Sequence, residues 1–495
     1  MAKKQKTFRP KARVPRGFRD IAGAELALQQ RMIATISDVY QSYGFDALDT
    51  SAFEYADALG KFLPDADRPN EGVFALEDDD KQWLSLRYDL TAPLARYVAE
   101  HYDALPKPFR RFQWGPVWRN EKPGPGRYRQ FLQIDADTVG AGNMGADSEI
   151  CMMAADCMAA LGIGEGDYLV RINNRKIMDG LLQRIGLTTE QADYEARRMT
   201  ILRAMDKYDR LGLAGVRDLL GAGRRDESGD FTAGACLDEV QIEAVIGLVG
   251  AQGVSRLEML DTLEAQIGDT ASGASGIDEL REMDALFTRL GYGADRLYID
   301  PTIVRGLGYY TGPVYEIDLT FDTQNDDGTV TRFGSVGGGG RYDGLIKRFK
   351  GVEIPATGIS IGVSRLASAL ALLEKADVGT VQPLIVVMVM DKQTRPELAA
   401  LVQGLRAAGV RAELYMGDGA MKAQLRYADA RKARFVVIEG EDERTKGVVT
   451  VKDLELGKQK SAEIENNAEW RASSHAQFEV KKNVLSETIL GLLDE

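Results

Sequence analysis

Apolar positions Leu26, Leu28, Met32, Ile33, Ile36, Val39, Tyr40 and Tyr43 recur at helical spacing, and Gly44 follows where a helix end favours a left-handed residue. They predict an amphipathic helix packed on one side. Trp83 to Asp89 (WLSLRYD) alternates instead, with Ser85, Arg87 and Asp89 on one face and Leu84, Leu86 and Tyr88 on the other. This predicts a strand carrying polar groups inward or toward a ligand. Arg110 to Gly140 predicts a long antiparallel hairpin closed by the Pro/Gly-rich connection Lys122 to Gly126. On its second strand Arg127, Arg129, Phe131, Gln133, Asp135 and Asp137 share a face too polar for an ordinary core, which implies a working surface.

Between Gln191 and Gly291 the pattern is mixed-charge and helical with glycine interruptions, and predicts an inserted helical module. Strands resume at Leu297. Tyr315, Ile317, Leu319 and Phe321 alternate, GSVGGGGRYDGL (Gly334 to Leu345) reads as a glycine-rich turn, and TGISIG runs into a helix bearing Leu366, Leu370 and Leu373. Lys375 to Pro383 reads as a linker, after which alternating strands and helices describe a separate small α/β domain. The expected division is a core in two parts, 1–190 and 292–375, an insertion 191–291, a linker 376–382 and a terminal domain 383–495.

With 495 residues and 44% hydrophobic content, the chain can bury a sizeable core. No run of about twenty apolar residues occurs, and the basic N-terminus lacks the apolar segment of a secretory signal, so a cytoplasmic protein without a membrane span is expected. The three cysteines, Cys151, Cys157 and Cys236, have no metal-ligand spacing and read as small buried hydrophobes. With only two histidines, His101 and His475, neither a histidine-rich metal site nor a catalytic triad is expected, and no protein metal ligand is expected. A net charge of −13 argues against a nucleic-acid partner, yet cations cluster from Lys3 to Arg16, from Lys107 to Arg129 and at Arg426, Arg431, Lys432 and Arg434. Such runs are commonly solvated faces, so the patches alone decide nothing.

No GxxxxGK[ST] occurs, so ATP would need a phosphate-binding device other than a Walker loop. Arg119, Arg305, Arg341 and Arg365 stand at turns or strand ends beside glycines. Arginine forks suit phosphate and carboxylate, although a lone one is usually a salt-bridge partner. Arg365 opens a helix whose terminal N–H groups favour a nearby anion.

VWRNE followed by GRYRQF resembles the second signature motif of class II aminoacyl-tRNA synthetases, TGISIGVSRL the third, and the first helix with YGFDALDTSAFEY the first. VRGLGYYTGPVYE and GGGGRYDGL resemble two motifs peculiar to histidyl-tRNA synthetases, and LRYDLTAPLARY a further segment of that family. The resemblance covers nearly the whole chain. It implies a multidomain α+β and α/β fold: an antiparallel-sheet catalytic core, a helical insertion and a C-terminal α/β anticodon-binding domain. The implied activity is ATP-dependent ligation of L-histidine to the 3′ end of tRNA(His), with ATP as substrate, Mg²⁺ bridging its outer phosphates, and a homodimer as the working form. The alternative is a histidine-sensing regulatory paralogue that charges no tRNA; such proteins typically lose catalytic arginines or the C-terminal domain.

Carried over by the resemblance, Arg119 holds the α-phosphate, Arg365 the γ-phosphate, and Arg305 the carboxylate and α-phosphate at the reacting centre. Glu121 and Phe131 contact adenine, with Arg127 beside them at the nucleotide. Asp89, Thr91 and Gln133 hold the α-ammonium group. Asp137 and Tyr310 pair with the imidazole, with Tyr309 and Tyr342 in the same subsite, although Tyr309 and Tyr315 also read as core aromatics. The connection Lys122 to Gly126 with Arg127 and Arg129 would meet the acceptor end of the tRNA. The chain departs from the family pattern at Gly308, usually Asp, at Ser51, usually Pro, and at Ser364, usually Glu.

Overall fold

A computed structural model describes residues 10–58, 72–124, 127–225, 229–251, 253–304, 310–324, 330–372, 382–457 and 476–494. The chain divides into two compact units, residues 1–378 and 379–495.

In the first unit α1 (Gly23–Ser42) buries Met32, Ile36 and Tyr40 on the predicted stripe, and Gly44 follows at φ +79°. A two-residue strand β1 (Asp46–Ala47) leads to a small antiparallel sheet of β2 (Phe53–Tyr55), β3 (Ala75–Glu77) and β4 (Trp83–Leu86), with β4 central. The alternation read from Trp83 to Asp89 therefore stops at Leu86. The reason lies in Asp89, whose carboxylate accepts the backbone N–H groups of Thr91 at 3.1 Å and Ala92 at 2.9 Å and turns the chain into α2 (Thr91–His101). Arg87 is buried as a tie, donating to the carbonyls of Thr50 and Pro116, both at 2.9 Å. Its guanidinium fills the space of a Cβ at Gly115, which would stand 2.2 Å from Nη2.

The expected hairpin forms from β5 (Phe109–Trp118) and β6 (Gln130–Val139), in register from Phe109 opposite Val139 to Trp118 opposite Gln130. Next come α3 (Met144–Ala160), β7 (Tyr168–Asn174) and α4 (Arg175–Arg184). The segment expected as a helical insertion holds α5 (Tyr194–Met205), α6 (Tyr208–Leu220), a hairpin of β8 (Gly223–Arg225) and β9 (Phe231–Ala233), then α7 (Glu239–Val249), α8 (Arg256–Ile267) and α9 (Ala271–Arg289). Its last helix packs on the core. Leu280, Met283 and Phe287 of α9 share one apolar core with Cys151 and Met153 of α3 and with Ile317 and Ile359 of the sheet. Glycines bring α4 and α9 close, since a Cβ at Gly180 would stand 2.6 Å from Gly273 Cα.

The chain returns through β10 (Leu297–Ile299), β11 (Pro313–Gln324), β12 (Val330–Arg341), a short helix α10 (Lys347–Lys350), β13 (Ala356–Ile361) and α11 (Val363–Leu372). These complete an eight-stranded, mainly antiparallel sheet in the order β1-β5-β6-β13-β12-β11-β7-β10. The glycine run read as a turn is instead the C-terminal part of β12. Gly337 to Gly340 pair with β11 on one side and β13 on the other, and a Cβ at Gly339 would stand 2.0 Å from the Gly358 carbonyl oxygen. Glycine here marks close backbone approach rather than a reversal.

The second unit holds β14 (Leu384–Val387), α12 (Arg395–Ala407), β15 (Ala412–Leu414), α13 (Met421–Ala430), β16 (Ala433–Ile438), α14 (Glu441–Lys446), β17 (Val448–Asp453), β18 (Gln477–Lys481) and α15 (Leu485–Asp494). Its sheet runs β15-β14-β16-β17-β18, parallel across the first three strands and antiparallel beyond. Along β14, Ile385 and Val387 join the core over α12 while Leu384 and Val386 join the one over α13. A strand covered on both faces explains the unbroken LIVVMVM.

Candidate active site

Ile134 and Ala136 of β6 point into the helix-covered core, and period two sends Phe131, Gln133, Asp135 and Asp137 to the opposite face. There they line a cleft of about 670 Å³. Tyr88, Asp89 and Thr91 enter from the start of α2, Arg119, Glu121 and Arg127 from beyond β5, and Arg365 from the first turn of α11. Tyr310 and Tyr342 close one side, and the floor is β12 at Gly337 to Gly339 with Gly358 and Ser360 of β13. The glycines make the room. A Cβ at Gly358 would stand 2.0 Å from Asp137 Oδ1, and one at Gly340 would stand 2.9 Å from the Tyr310 ring.

At this end Asp137 is 2% exposed and accepts a hydrogen bond from the Tyr342 hydroxyl. Its Oδ2 lies 2.9 Å from Nη2 of Arg111, a fully buried arginine that also donates to the Leu90 carbonyl at 2.9 Å. Burial pushes the Asp137 carboxyl up, while Arg111 and the Tyr342 hydrogen bond pull it down. Asp135 is pushed up to about 8 by burial first and Asp137 next, against the opposing pull of Arg111 and Ser360. Gln133 Nε2 donates to Ser360 Oγ at 2.9 Å, and that hydroxyl donates to Asp135.

At the other end the Arg119 guanidinium lies 4.4 Å from the Tyr88 ring centroid and 5.1 Å from that of Phe131. Tyr88 donates its hydroxyl to Glu121 at 3.2 Å, and the Arg127 Nε is 4.0 Å from the same carboxylate. Arg365 donates to the Phe333 carbonyl at 2.6 Å. Ser364, in place of the family's usual Glu, accepts the Leu132 backbone N–H at 3.0 Å and so ties α11 to β6. A planar aromatic slot flanked by arginines thus adjoins a subsite rich in carboxylates, hydroxyls and amides. That combination suits a nucleotide beside a small, positively charged polar ligand.

Residues 17–366 match the family described as histidyl-tRNA synthetase. The chain belongs to that family. Residues 384–472 match the family described as anticodon binding domain. The chain is 55% identical to a histidine-tRNA ligase of Brucella ovis over 99% of its own length and 97% of the relative's. It is 53% identical to a histidine-tRNA ligase of Bartonella bacilliformis, covering 100% and 99%. A crystal structure of histidyl-tRNA synthetase from Nostoc superposes with a TM-score of 0.74 at 28% identity, over 98% of this chain and 100% of that one.

Set against the family's pattern, Asp89, Thr91, Arg119, Glu121, Arg127, Phe131, Gln133, Asp137, Tyr310, Tyr342 and Arg365 are brought together in this one cleft. Arg305, Gly308 and Tyr309 lie outside the described residues. Two further arginines singled out in the sequence make contacts within the protein. Arg341 is buried and pairs with Asp147, which also accepts the Tyr315 hydroxyl at 2.6 Å. Arg129, just before β6, donates to the Glu121 carbonyl at 3.0 Å. Cys236 is exposed rather than buried, unlike Cys151 and Cys157. Sequence reasoning left Arg111 and Ser360 unremarked and gave Asp135 no role. What marks them is cross-strand register: Arg111 sits opposite Asp137, and Ser360 opposite Asp135.

Proposed function

We propose that this cleft joins L-histidine to ATP and then loads the histidyl group onto tRNA(His). A carboxylate oxygen of histidine attacks the α-phosphorus, the bond between the α-phosphorus and its bridging oxygen breaks, and pyrophosphate leaves. The 3′-terminal adenosine then attacks the acyl carbon through a hydroxyl, and AMP departs. Two anions must meet in the first step, and fixed cations lower that cost without reorganising at the moment of reaction. Arg119 supplies one beside the aromatic slot and Arg365 another at the start of α11, with Arg305 assigned to the reacting carboxylate. Phe131 stacks on adenine and Glu121 accepts from its amino group, with Arg127 alongside.

Asp89, Thr91 and Gln133 receive the α-ammonium. Neutral imidazole has one donor and one acceptor, and Asp137 with Tyr310 and Tyr342 offers a carboxylate and hydroxyls to match them. The observation carrying this reading is that all the described candidates line one cleft, with Asp137 held beside Arg111 at its deep end. Mg²⁺ would enter with the nucleotide as part of the substrate and would offset the charge of its phosphates, as a hard cation does. The second unit, matching an anticodon binding domain, takes the other end of the tRNA. The working form is a cytoplasmic homodimer; the half-exposed Phe53, Tyr55, Leu76 and Trp83 of the small sheet support a covering second copy.

Histidine-dependent exchange of labelled pyrophosphate into ATP, followed by charging of tRNA, tests the reading. Exchange driven by another amino acid, or none with folded protein, overturns it. Exchange without charging would favour the regulatory paralogue.

A further inference from the structure

Ser360 has one hydroxyl proton, and it is committed to Asp135. With that proton given to a carboxylate oxygen, Ser360 Oγ is left to accept from its other neighbour. That neighbour is the Gln133 side-chain amide, 2.9 Å away, and the atom facing Ser360 must therefore be Nε2. The amide carbonyl is turned the other way. Gln133 Oε1 is buried in the cleft wall with no hydrogen-bond partner among the described residues. A buried carbonyl oxygen left unpaired is costly unless a donor arrives. Without Asp135 the serine proton would be free to reach Gln133, and the amide would gain from flipping to present its NH₂ group.

We propose that Asp135 is a positioning residue for the amino-acid substrate: through Ser360 it fixes the Gln133 amide so that Oε1, not the NH₂ group, meets the α-ammonium. This rests on the assignment of Gln133 to the ammonium of histidine. The relay is one-directional, carboxylate to hydroxyl to amide, and each member's polarity follows from the last. A cation entering beside Asp135 favours its ionised form, against the burial and the Asp137 charge that push its carboxyl up to about 8. The ammonium thus strengthens the relay that orients its own acceptor.

The experiment is a set of mutant cycles read in pyrophosphate exchange, with KM for histidine and for ATP measured separately. Asp135→Ala and Ser360→Ala are each expected to raise the histidine KM by about tenfold or more, the scale of a lost hydrogen bond to a charged group, with ATP KM within about twofold. Combined with Gln133→Ala, neither adds a further penalty, because its effect passes through Gln133. Ser360→Ala carries the test if Asp135→Ala does not fold. A histidine KM unmoved in both singles overturns the relay, as do penalties that add to that of Gln133→Ala, which would mean direct electrostatic attraction of the ammonium. Failure of the histidine reading itself shows separately, as wild-type protein that supports no histidine-dependent exchange.

Discussion

Arg111 and Asp137 face each other directly across the β5-β6 pair, with Nη2 2.9 Å from Oδ2 and side chains 0% and 3% exposed. A carboxylate buried alone would take up a proton and lose its capacity to accept from an imidazole N–H. The arginine, drawn from the neighbouring strand, opposes that, pulling down a carboxyl that burial pushes up. Recognition at the deep end of the cleft is therefore a property of the hairpin register as much as of Asp137.

Arg111→Met removes one member of this pair and leaves the other buried. Unfolding in urea is expected to show a loss of about 3–5 kcal/mol, the usual cost of stranding a buried charge. Protein that still folds should show a raised histidine KM with ATP KM little changed. An unchanged histidine KM in folded Arg111→Met would detach the pair from substrate recognition.

Gly358→Ala acts on the same carboxylate from the other side. Gly358 pairs with Asp137 in the β6-β13 register, and the added methyl would stand 2.0 Å from Oδ1 and 2.7 Å from the Ala136 carbonyl oxygen. Something must shift, and the side chain moves more easily than paired backbone. The expected result is a stability loss of about 1–3 kcal/mol, as for overpacking elsewhere, with a disproportionate rise in histidine KM. Equal effects on the two substrates would point to general distortion of the sheet.

What the sequence made legible follows the physics of each signal. Period-two polarity on β6 exposed the working face because Gln133 and Asp137 line the cleft there, and so announced themselves as polar where a core was due. The glycine run of β12 misled because close backbone approach and chain reversal both call for a missing Cβ, and only the neighbouring strands distinguish them. Arg111 and Ser360 were invisible for a different reason. Their meaning lies in cross-strand register, which pairs residues distant along the chain, and no local pattern carries it.

The pH dependence of stability has a definite sign. Asp135 is raised from 3.8 to about 8 in the folded protein, so across that window the folded state holds a proton the unfolded chain has released. Stability contributed by this group therefore falls as pH rises from about 4 toward about 8 and levels off above. Asp135→Asn removes the titration. Thermal unfolding between about pH 5 and 8 should show a shallower decline in Tm for Asp135→Asn than for wild type; parallel declines would exclude Asp135 as the source.

Arg119 and Arg341 look alike in sequence, each an arginine at a strand end near glycines, but their surroundings assign them opposite consequences. Arg119 lies in the cleft between the Tyr88 and Phe131 rings, where its charge can meet phosphate as negative charge redistributes in the transition state. Arg119→Ala is expected to lower kcat for exchange by about 10²–10³-fold, the scale of one preorganised donor, with little change in unfolding free energy. Arg341 neutralises Asp147 beneath β12 and donates to the Ala141 and Asn143 carbonyls. Arg341→Met should instead cost about 3–5 kcal/mol of stability while the folded fraction keeps its kcat. Paired measurements of unfolding and single-turnover activation on both variants decide the matter, since a catalytic loss in Arg341→Met at full occupancy of the folded state would move that arginine into the reaction.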